Sequence, residues 1–120
     1  MLFIQYPKCS TCQKAKKWLD AHNITYTNRH IAEEHPSYDE LKEWYAKSAL
    51  PLKKFFNTSG LLYKNMQLKD KLPFMDEEEQ LRLLATDGML VKRPIIVDGD
   101  RVLVGFKEAD WEEKLLREGL

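Results

Sequence analysis

The sequence has no long apolar run, no excess charge and almost no cysteine, and each absence removes a class of protein. No stretch of about 18 consecutive apolar residues occurs, so no segment reads as a transmembrane helix. Met1-Leu2-Phe3-Ile4 is apolar but short. It has no basic region before it and runs into Gln5 and Pro7, which is not the pattern of a secretory signal. Nineteen basic residues balance nineteen acidic ones, so the chain as a whole has no field to draw it to nucleic acid or an anionic membrane. A local basic patch is not excluded. Two cysteines are too few for a disulfide framework. There is no internal repeat, low-complexity stretch or flexible linker. A glycine-rich phosphate loop and a flavin or nicotinamide fingerprint are also missing, so any redox electrons come from an external thiol. The expectation is a monomeric, cytoplasmic protein with no membrane partner and no direct nucleic-acid partner.

What is present suits a small folded domain. At roughly 150 residues per domain, the 120 residues form one domain, 1–120. A hydrophobic fraction of 43% is enough for a core without metal or disulfide staples.

Leu2 to Tyr6 is a short apolar run that predicts a buried strand, ended by Pro7. Ser10 to about His22 predicts a helix, with Cys12, Ala15, Trp18, Leu19 and His22 on one stripe. Ile24 to Arg29 alternates and predicts a second strand. Ser37 and Glu40 form a capping box that opens a helix with Tyr38, Leu41, Trp44 and Tyr45 on its apolar face. Pro51 stops it, and Leu52, Phe55 and Phe56 suggest one further turn. Asn57-Thr58-Ser59-Gly60 is a loop by composition. Leu61 to Leu72 reads as short helical pieces closed by Pro73. Asp76-Glu77-Glu78-Glu79 opens another helix, its acids complementing the positive end of the dipole. Gly88 suits the left-handed position past that helix. Ile95 to Val97 and Arg101 to Val104 are strands joined at Asp98-Gly99. Glu108 to about Arg117 is a last amphipathic helix. The order strand, helix, strand, helical region, strand, strand, helix predicts a parallel β-α-β unit and an antiparallel hairpin in one mixed sheet with helices on its faces.

Cys9-Ser10-Thr11-Cys12 sits where a strand hands over to a helix. A thiol at a helix N-terminus faces free backbone N–H groups and the positive dipole end, and both favour thiolate. Lys8 adds a charge nearby. Cys12 lies one helical turn on, with its Cα expected about 5–6 Å away, within reach of a disulfide. Cys9 is then the attacking sulfur and Cys12, less exposed inside the helix, the resolving one. Two other readings stay open. C-x-x-C is half a zinc site, with His22, His30 and His35 as further ligands, although structural zinc knuckles sit in tight turns. Both cysteines could also simply be core residues. A second feature is Lys92-Arg93-Pro94-Ile95-Ile96-Val97, where a proline at a strand start has no ladder N–H to lose. A cis peptide bond there would turn the backbone toward the cysteines, and Arg93 would offer its guanidinium to a thiolate or oxyanion. The plainer alternative is a loop proline beside a solvated arginine. The Asn57-Thr58-Ser59 and Asn23-Ile24-Thr25 sequons read as chance matches. The lysines at 14, 16, 17, 53 and 54 read as a modest basic face.

Together these parts resemble the ArsC/Spx family of thioredoxin-fold proteins, which includes glutaredoxin-coupled arsenate reductases, related thiol reductases and the regulator Spx. The matching residues are Tyr6-Pro7-Lys8-Cys9-Ser10-Thr11-Cys12 with Lys14-Ala15, Phe56-Asn57-Thr58-Ser59-Gly60, Arg93-Pro94-Ile95-Ile96-Val97-Asp98 and Val104-Gly105-Phe106. The resemblance implies a thioredoxin-like mixed four-stranded sheet flanked by helices, with a helical insertion between strands 2 and 3 at roughly 37–87. It implies a thiol-dependent oxidoreductase with Cys9 as nucleophile, Cys12 as resolving cysteine and Arg93 before a cis-proline holding the oxyanion. Substrate contacts are implied at Lys8, Ser10, Thr11, Pro94 and Lys107, with no metal and no bound cofactor. Glutathione with glutaredoxin, or thioredoxin, is the implied external reductant. Two departures stand out. The Asn57 to Gly60 loop lacks an arginine that glutathione-dependent arsenate reductases use, and Lys107 is a point charge rather than a bidentate fork. Cys12 is instead the Spx-like arrangement. The alternative implied function is therefore a redox-sensing regulator that binds the C-terminal domain of the RNA polymerase α subunit.

Overall fold

A computed structural model describes residues 1–117. Strand β1 (Leu2–Gln5), helix α1 (Ser10–Ala21) and strand β2 (Thr27–His30) come first. A helical stretch follows. It contains α2 (Tyr38–Ser48), a 3-10 turn at Leu52–Phe55, α3 (Leu61–Asn65), α4 (Leu68–Lys71) with a 3-10 turn at Leu72–Phe74, α5 (Glu77–Leu84) and a 3-10 turn at Gly88–Leu90. Strands β3 (Ile95–Asp98) and β4 (Arg101–Val104) and helix α6 (Glu108–Trp111) close the order, with α6 continuing in wider π-helical winding over Glu112–Arg117. Among the described residues, no helix is long and apolar enough to cross a membrane.

The four strands form one mixed sheet in the order β2-β1-β3-β4. β1 runs parallel to β2 and antiparallel to β3, and β3 and β4 are an antiparallel hairpin. Alternation along the central strands sends neighbouring side chains to opposite faces. Phe3 and Ile96 join Ala15, Trp18 and Leu19 of α1 and Trp111 of α6 in one core. Ile4 and Ile95 join Leu41, Trp44, Phe55, Leu84 and Leu90 of the helical stretch in the other. The insertion therefore covers one face of the sheet, and α1 with α6 covers the other. The Ser37–Glu40 capping box forms as the spacing predicts, and Asp76 and Glu79 make a second one at the start of α5. Arg29 ties β2 to α2 through a forked pair of bonds to Glu40, at 2.7 and 2.9 Å.

Several local expectations are corrected. The second strand begins at Thr27 rather than Ile24, because Asn23 takes a left-handed φ of 55° and the Ile24 N–H bonds back to Leu19. His22 is not part of the buried stripe. It caps the exposed end of α1, its ring 4.2 Å from that of Trp18. Pro73 lies inside a 3-10 turn instead of closing a helix. In the hairpin Asp98 pairs with Arg101, so the turn is Gly99-Asp100, with positive φ at Gly99.

Gly88 is the most informative correction. It does not occupy a left-handed position; α5 ends at Ala85, and Gly88 opens a 3-10 turn capped by Asp87. Glycine is needed there for space, since a Cβ on Gly88 would lie 1.8 Å from the Ile31 carbonyl oxygen. Gly88→Ala should therefore cost about 3 kcal/mol, the upper part of the overpacking range, read as a lowered midpoint in urea unfolding. A midpoint equal to that of the parent protein would show that this contact does not constrain the fold.

Candidate active site

β1 ends at Gln5, Pro7 and Lys8 form a turn, and Cys9 is the N-cap of α1. The Cys9 backbone is extended (φ −87°, ψ 123°) at the N-cap position. Its N–H donates to the Tyr6 carbonyl at 3.0 Å, and its own carbonyl accepts the Gln13 N–H at 3.0 Å. No conventional side-chain cap hydrogen bond is made at this helix start. The N–H groups of Thr11 and Cys12 are thus left to act on the Cys9 sulfur. Cys9 is partly exposed and Cys12 is fully buried; both are free thiols.

The two sulfurs are held in opposite protonation states. Partial burial by itself pushes the Cys9 thiol up. The Cys12 N–H, the Cys12 thiol, the Arg93 guanidinium and the Thr11 N–H act against it. The donors prevail, so Cys9 ionises below the ordinary thiol range. Burial drives Cys12 the other way, up to about 12, and the neighbouring Cys9 sulfur adds to the rise. One sulfur is therefore poised as thiolate, and the other, three residues along the helix, is kept as thiol.

The remaining parts come from the start of β3, the strand next to β1. β3 runs antiparallel to β1 with Ile4 opposite Ile95, which brings Arg93 next to Tyr6. The Arg93 guanidinium carbon lies 5.1 Å from the centre of the Tyr6 ring, a cation–π distance. The same ring meets His30 edge-on at 5.6 Å. Nη1 of Arg93 is buried and has no hydrogen-bond partner among the described residues. The Arg93–Pro94 peptide bond is cis. The Pro94 carbonyl accepts the N–H of Gly105 at 2.8 Å, and the Gly105 carbonyl accepts the Trp111 indole N–H at 3.1 Å.

The structure thus brings together Cys9, Cys12, Thr11 and Arg93, with Pro94 joined to Arg93 through the cis peptide bond. Lys8 and Ser10 are exposed, and Lys8 is not among the groups that act on Cys9; the cation beside the sulfur is Arg93. Lys107 is exposed at the N-cap of α6 and, with Thr11, lines a groove of about 1350 Å³. Among the described residues, no three His, Cys, Asp or Glu side chains cluster as a metal site. His30 instead turns Nδ1 to the N–H groups of Ala32 and Glu33, at 3.2 and 3.1 Å. The residue missed by sequence reasoning is Tyr6. Its value depends on two strands that are distant in sequence lying side by side, and no spacing rule reports that.

Comparison with known proteins agrees with this geometry. The family model described as "ArsC family" matches residues 4–114. YusI, an uncharacterized protein of Bacillus subtilis strain 168, is 58% identical over 113 residues, covering 94% of this chain and 96% of that protein. The global transcriptional regulator Spx of Staphylococcus aureus is 33% identical over 112 residues, covering 92% and 83%. A solved protein from Bacteroides fragilis, described as related to the ArsC family, superposes with a TM-score of 0.92 at 62% identity over 93% of this chain and 94% of that one. A Streptococcus mutans UA159 protein described as a possible arsenate reductase gives 0.85 at 41% identity, over 92% and 96%.

The electrostatics around Cys9 predict a pH profile. Alkylation of Cys9 by iodoacetamide should have its midpoint below the ordinary thiol value. Arg93→Met and Tyr6→Leu should each move that midpoint upward, the first by removing the cation and the second by releasing it. Tyr6→Phe should restore the parent profile, because the ring face and not the hydroxyl touches Arg93. A Tyr6→Leu midpoint unchanged from the parent would show that the ring does not position the guanidinium.

Proposed function

The chain belongs to the ArsC family, and from that premise we propose that it is a thiol–disulfide oxidoreductase. The observation that carries the reading is the split between the sulfurs, Cys9 ionised early and Cys12 held at about 12. A nucleophilic thiolate with a protected partner one turn away is what a two-step exchange needs. The Cys9 thiolate attacks one sulfur of a substrate disulfide. A Cys9–substrate disulfide forms, and the other substrate sulfur leaves as thiolate and takes a proton from solvent. Cys12 then gives its proton to solvent and attacks the Cys9 sulfur, forming Cys9–Cys12 and releasing the second substrate sulfur as a thiolate, which takes a proton from solvent. Two electrons have passed from the cysteines to the substrate. An external dithiol, or two molecules of glutathione, returns them. Once Cys9 has become part of a mixed disulfide its negative charge is gone, which removes one of the causes that hold the Cys12 proton.

Arg93 is assigned to the charge that develops at Cys9 and at the leaving sulfur. Its unpartnered Nη1 is a donor free to meet an anion, so an oxyanion such as arsenate is a second class of acceptor. Thr11 and Pro94 flank the approach; Lys8, Ser10 and Lys107 are outer contacts. The compartment fitted to this chemistry is the thiol-rich cytoplasm. The one-third identity to Spx favours a second reading, a redox switch that binds the RNA polymerase α C-terminal domain in one oxidation state of the cysteine pair.

NADPH consumption coupled through glutathione plus glutaredoxin, or through thioredoxin, distinguishes these readings, with a low-molecular disulfide and arsenate as parallel acceptors. Turnover of the disulfide is expected to vanish in Cys9→Ser. Cys12→Ser should accumulate the Cys9–substrate disulfide, visible as a mass adduct, with turnover lowered at least tenfold. Full turnover in Cys9→Ser would falsify the mechanism. No turnover with either acceptor, together with capture of the α C-terminal domain by only the oxidised or only the reduced protein, would establish the regulator.

A further inference from the structure

The groove that begins at Thr11 is strongly basic in a chain whose formal charges sum to zero. Among its described lining residues, seven are Lys or Arg and three are Asp. Lys47 is already paired with Glu43 at 3.1 Å, and Arg101 donates to the Lys114 carbonyl. Lys53, Lys54, Lys92 and Lys107 make no ion pair among the described residues. Four like charges gathered along one concavity repel one another, and an acidic guest removes that cost.

Two further features say what kind of guest. Strand β4 ends the sheet, and all four of its residues, Arg101–Val104, line the groove. A strand with a neighbour on one side only can pair with an extended polypeptide. The groove also comes close to Cys9, through Thr11 and Lys92 in its lining. The Thr11 N–H acts on the Cys9 sulfur, and Lys92 immediately precedes Arg93.

We propose that this groove docks an extended acidic segment of a protein partner and sets that partner's cysteine or disulfide over Cys9. The site thereby selects a protein thiol substrate by the acidic residues that flank it. The proposal rests on the exchange chemistry at Cys9 for its consequence but not for the docking itself. Nucleic acid fits less well. Three aspartates interrupt the cationic lining, and a backbone-pairing strand edge gives a phosphate chain nothing.

The test uses the full chain and two ten-residue peptides, one rich in Glu and its counterpart with Gln at the same positions. Each carries one cysteine as a mixed disulfide with thionitrobenzoate. The Cys9 thiolate attacks the peptide sulfur, the Cys9–peptide disulfide forms, and thionitrobenzoate leaves with the bonding electron pair and is read by its colour. The Glu peptide is expected to react about tenfold faster than the Gln peptide at low ionic strength. In about 1 M salt, where the screening length is about 3 Å, the advantage should disappear. The double substitution Lys53→Glu with Lys54→Glu should abolish the advantage, and Lys53→Gln with Lys54→Gln should reduce it. Both variants should keep the parent rate with the uncharged dipyridyl disulfide. Equal rates for the two peptides on the parent protein, or an advantage that survives charge reversal, would overturn the proposal.

A labelled, cysteine-free Glu peptide, followed by fluorescence anisotropy on Cys9→Ser, reads docking without chemistry and should still bind. If it binds while dipyridyl disulfide fails to react with the parent protein, the oxidoreductase reading falls and the docking surface stands. If dipyridyl disulfide reacts but the Glu peptide neither binds nor gains rate, the docking surface alone falls. A single-stranded oligonucleotide that binds more tightly than the Glu peptide and displaces it would replace the acidic partner with nucleic acid.

Discussion

The site hangs on two strands that are buried on both faces. β1 and β3 lie in the middle of the sheet, and between them they supply Phe3 and Ile96 to one core and Ile4 and Ile95 to the other. A slip of one residue would turn every one of these side chains to the wrong face, so the register Ile4↔Ile95 is fixed by both cores at once. Tyr6 and Arg93 lie just beyond the paired ends of these strands, and the fixed register makes them meet. The chain leaving β1 must also start α1 above the sheet, because Ala15, Trp18 and Leu19 are needed on the Phe3 face. Cys9 falls at that junction. The cation and the sulfur thus meet as a result of the same hydrophobic constraint that makes the sheet.

Magnitudes show which forces set the thiol at Cys9. A charge at a helix N-terminus gains about 0.3–1 kcal/mol from the dipole, and one pKa unit is about 1.4 kcal/mol. The dipole alone is therefore worth less than a unit, and burial opposes it. The discrete donors supply the rest. The Cys12 and Thr11 N–H groups exist at any uncapped helix start, but the guanidinium is particular to this fold. Cys12 shows the reverse balance. It lies on the inner side of the helix, next to a sulfur that already carries negative charge, so desolvation and repulsion act together. Three residues of separation along one helix are enough to divide the roles.

The parts of this arrangement that were legible in the sequence are those encoded locally. The Ser37–Glu40 box, the two apolar strand runs, the stripe on α1 and the strand-to-helix placement of Cys9 each need only a few neighbouring residues. Other features were not legible because they depend on tertiary neighbours. The usual preference of glycine for a left-handed helix end points to the wrong reason for Gly88, whose position is dictated by the Ile31 carbonyl, 57 residues earlier in the chain. Lys8 and Arg93 both read as cations for Cys9 in the sequence, and only the fold separates them: Arg93, 84 residues away, acts on the sulfur and the adjacent Lys8 does not. Tyr6 carries no signal of its role in the sequence, since its partner Arg93 comes from the start of another strand.

Net charge conceals two electrostatic layers that work by different rules. Arg93 is partly withdrawn from solvent, with one nitrogen fully buried, and it acts at contact distance where salt screens little. Lys53, Lys54 and Lys107 are exposed, and they act through water over distances near the screening length of about 8–10 Å at ordinary ionic strength. The first layer sets the ionisation of Cys9 and changes little with salt. The second sets which partner arrives and fades as salt rises. A chain of zero formal charge can have both, because most of the acids that balance the sum lie outside the groove, several of them in the first turn of α5. Reactivity and selectivity in this fold are therefore separable by ionic strength, which follows from how deeply each cation is buried and not from how many there are.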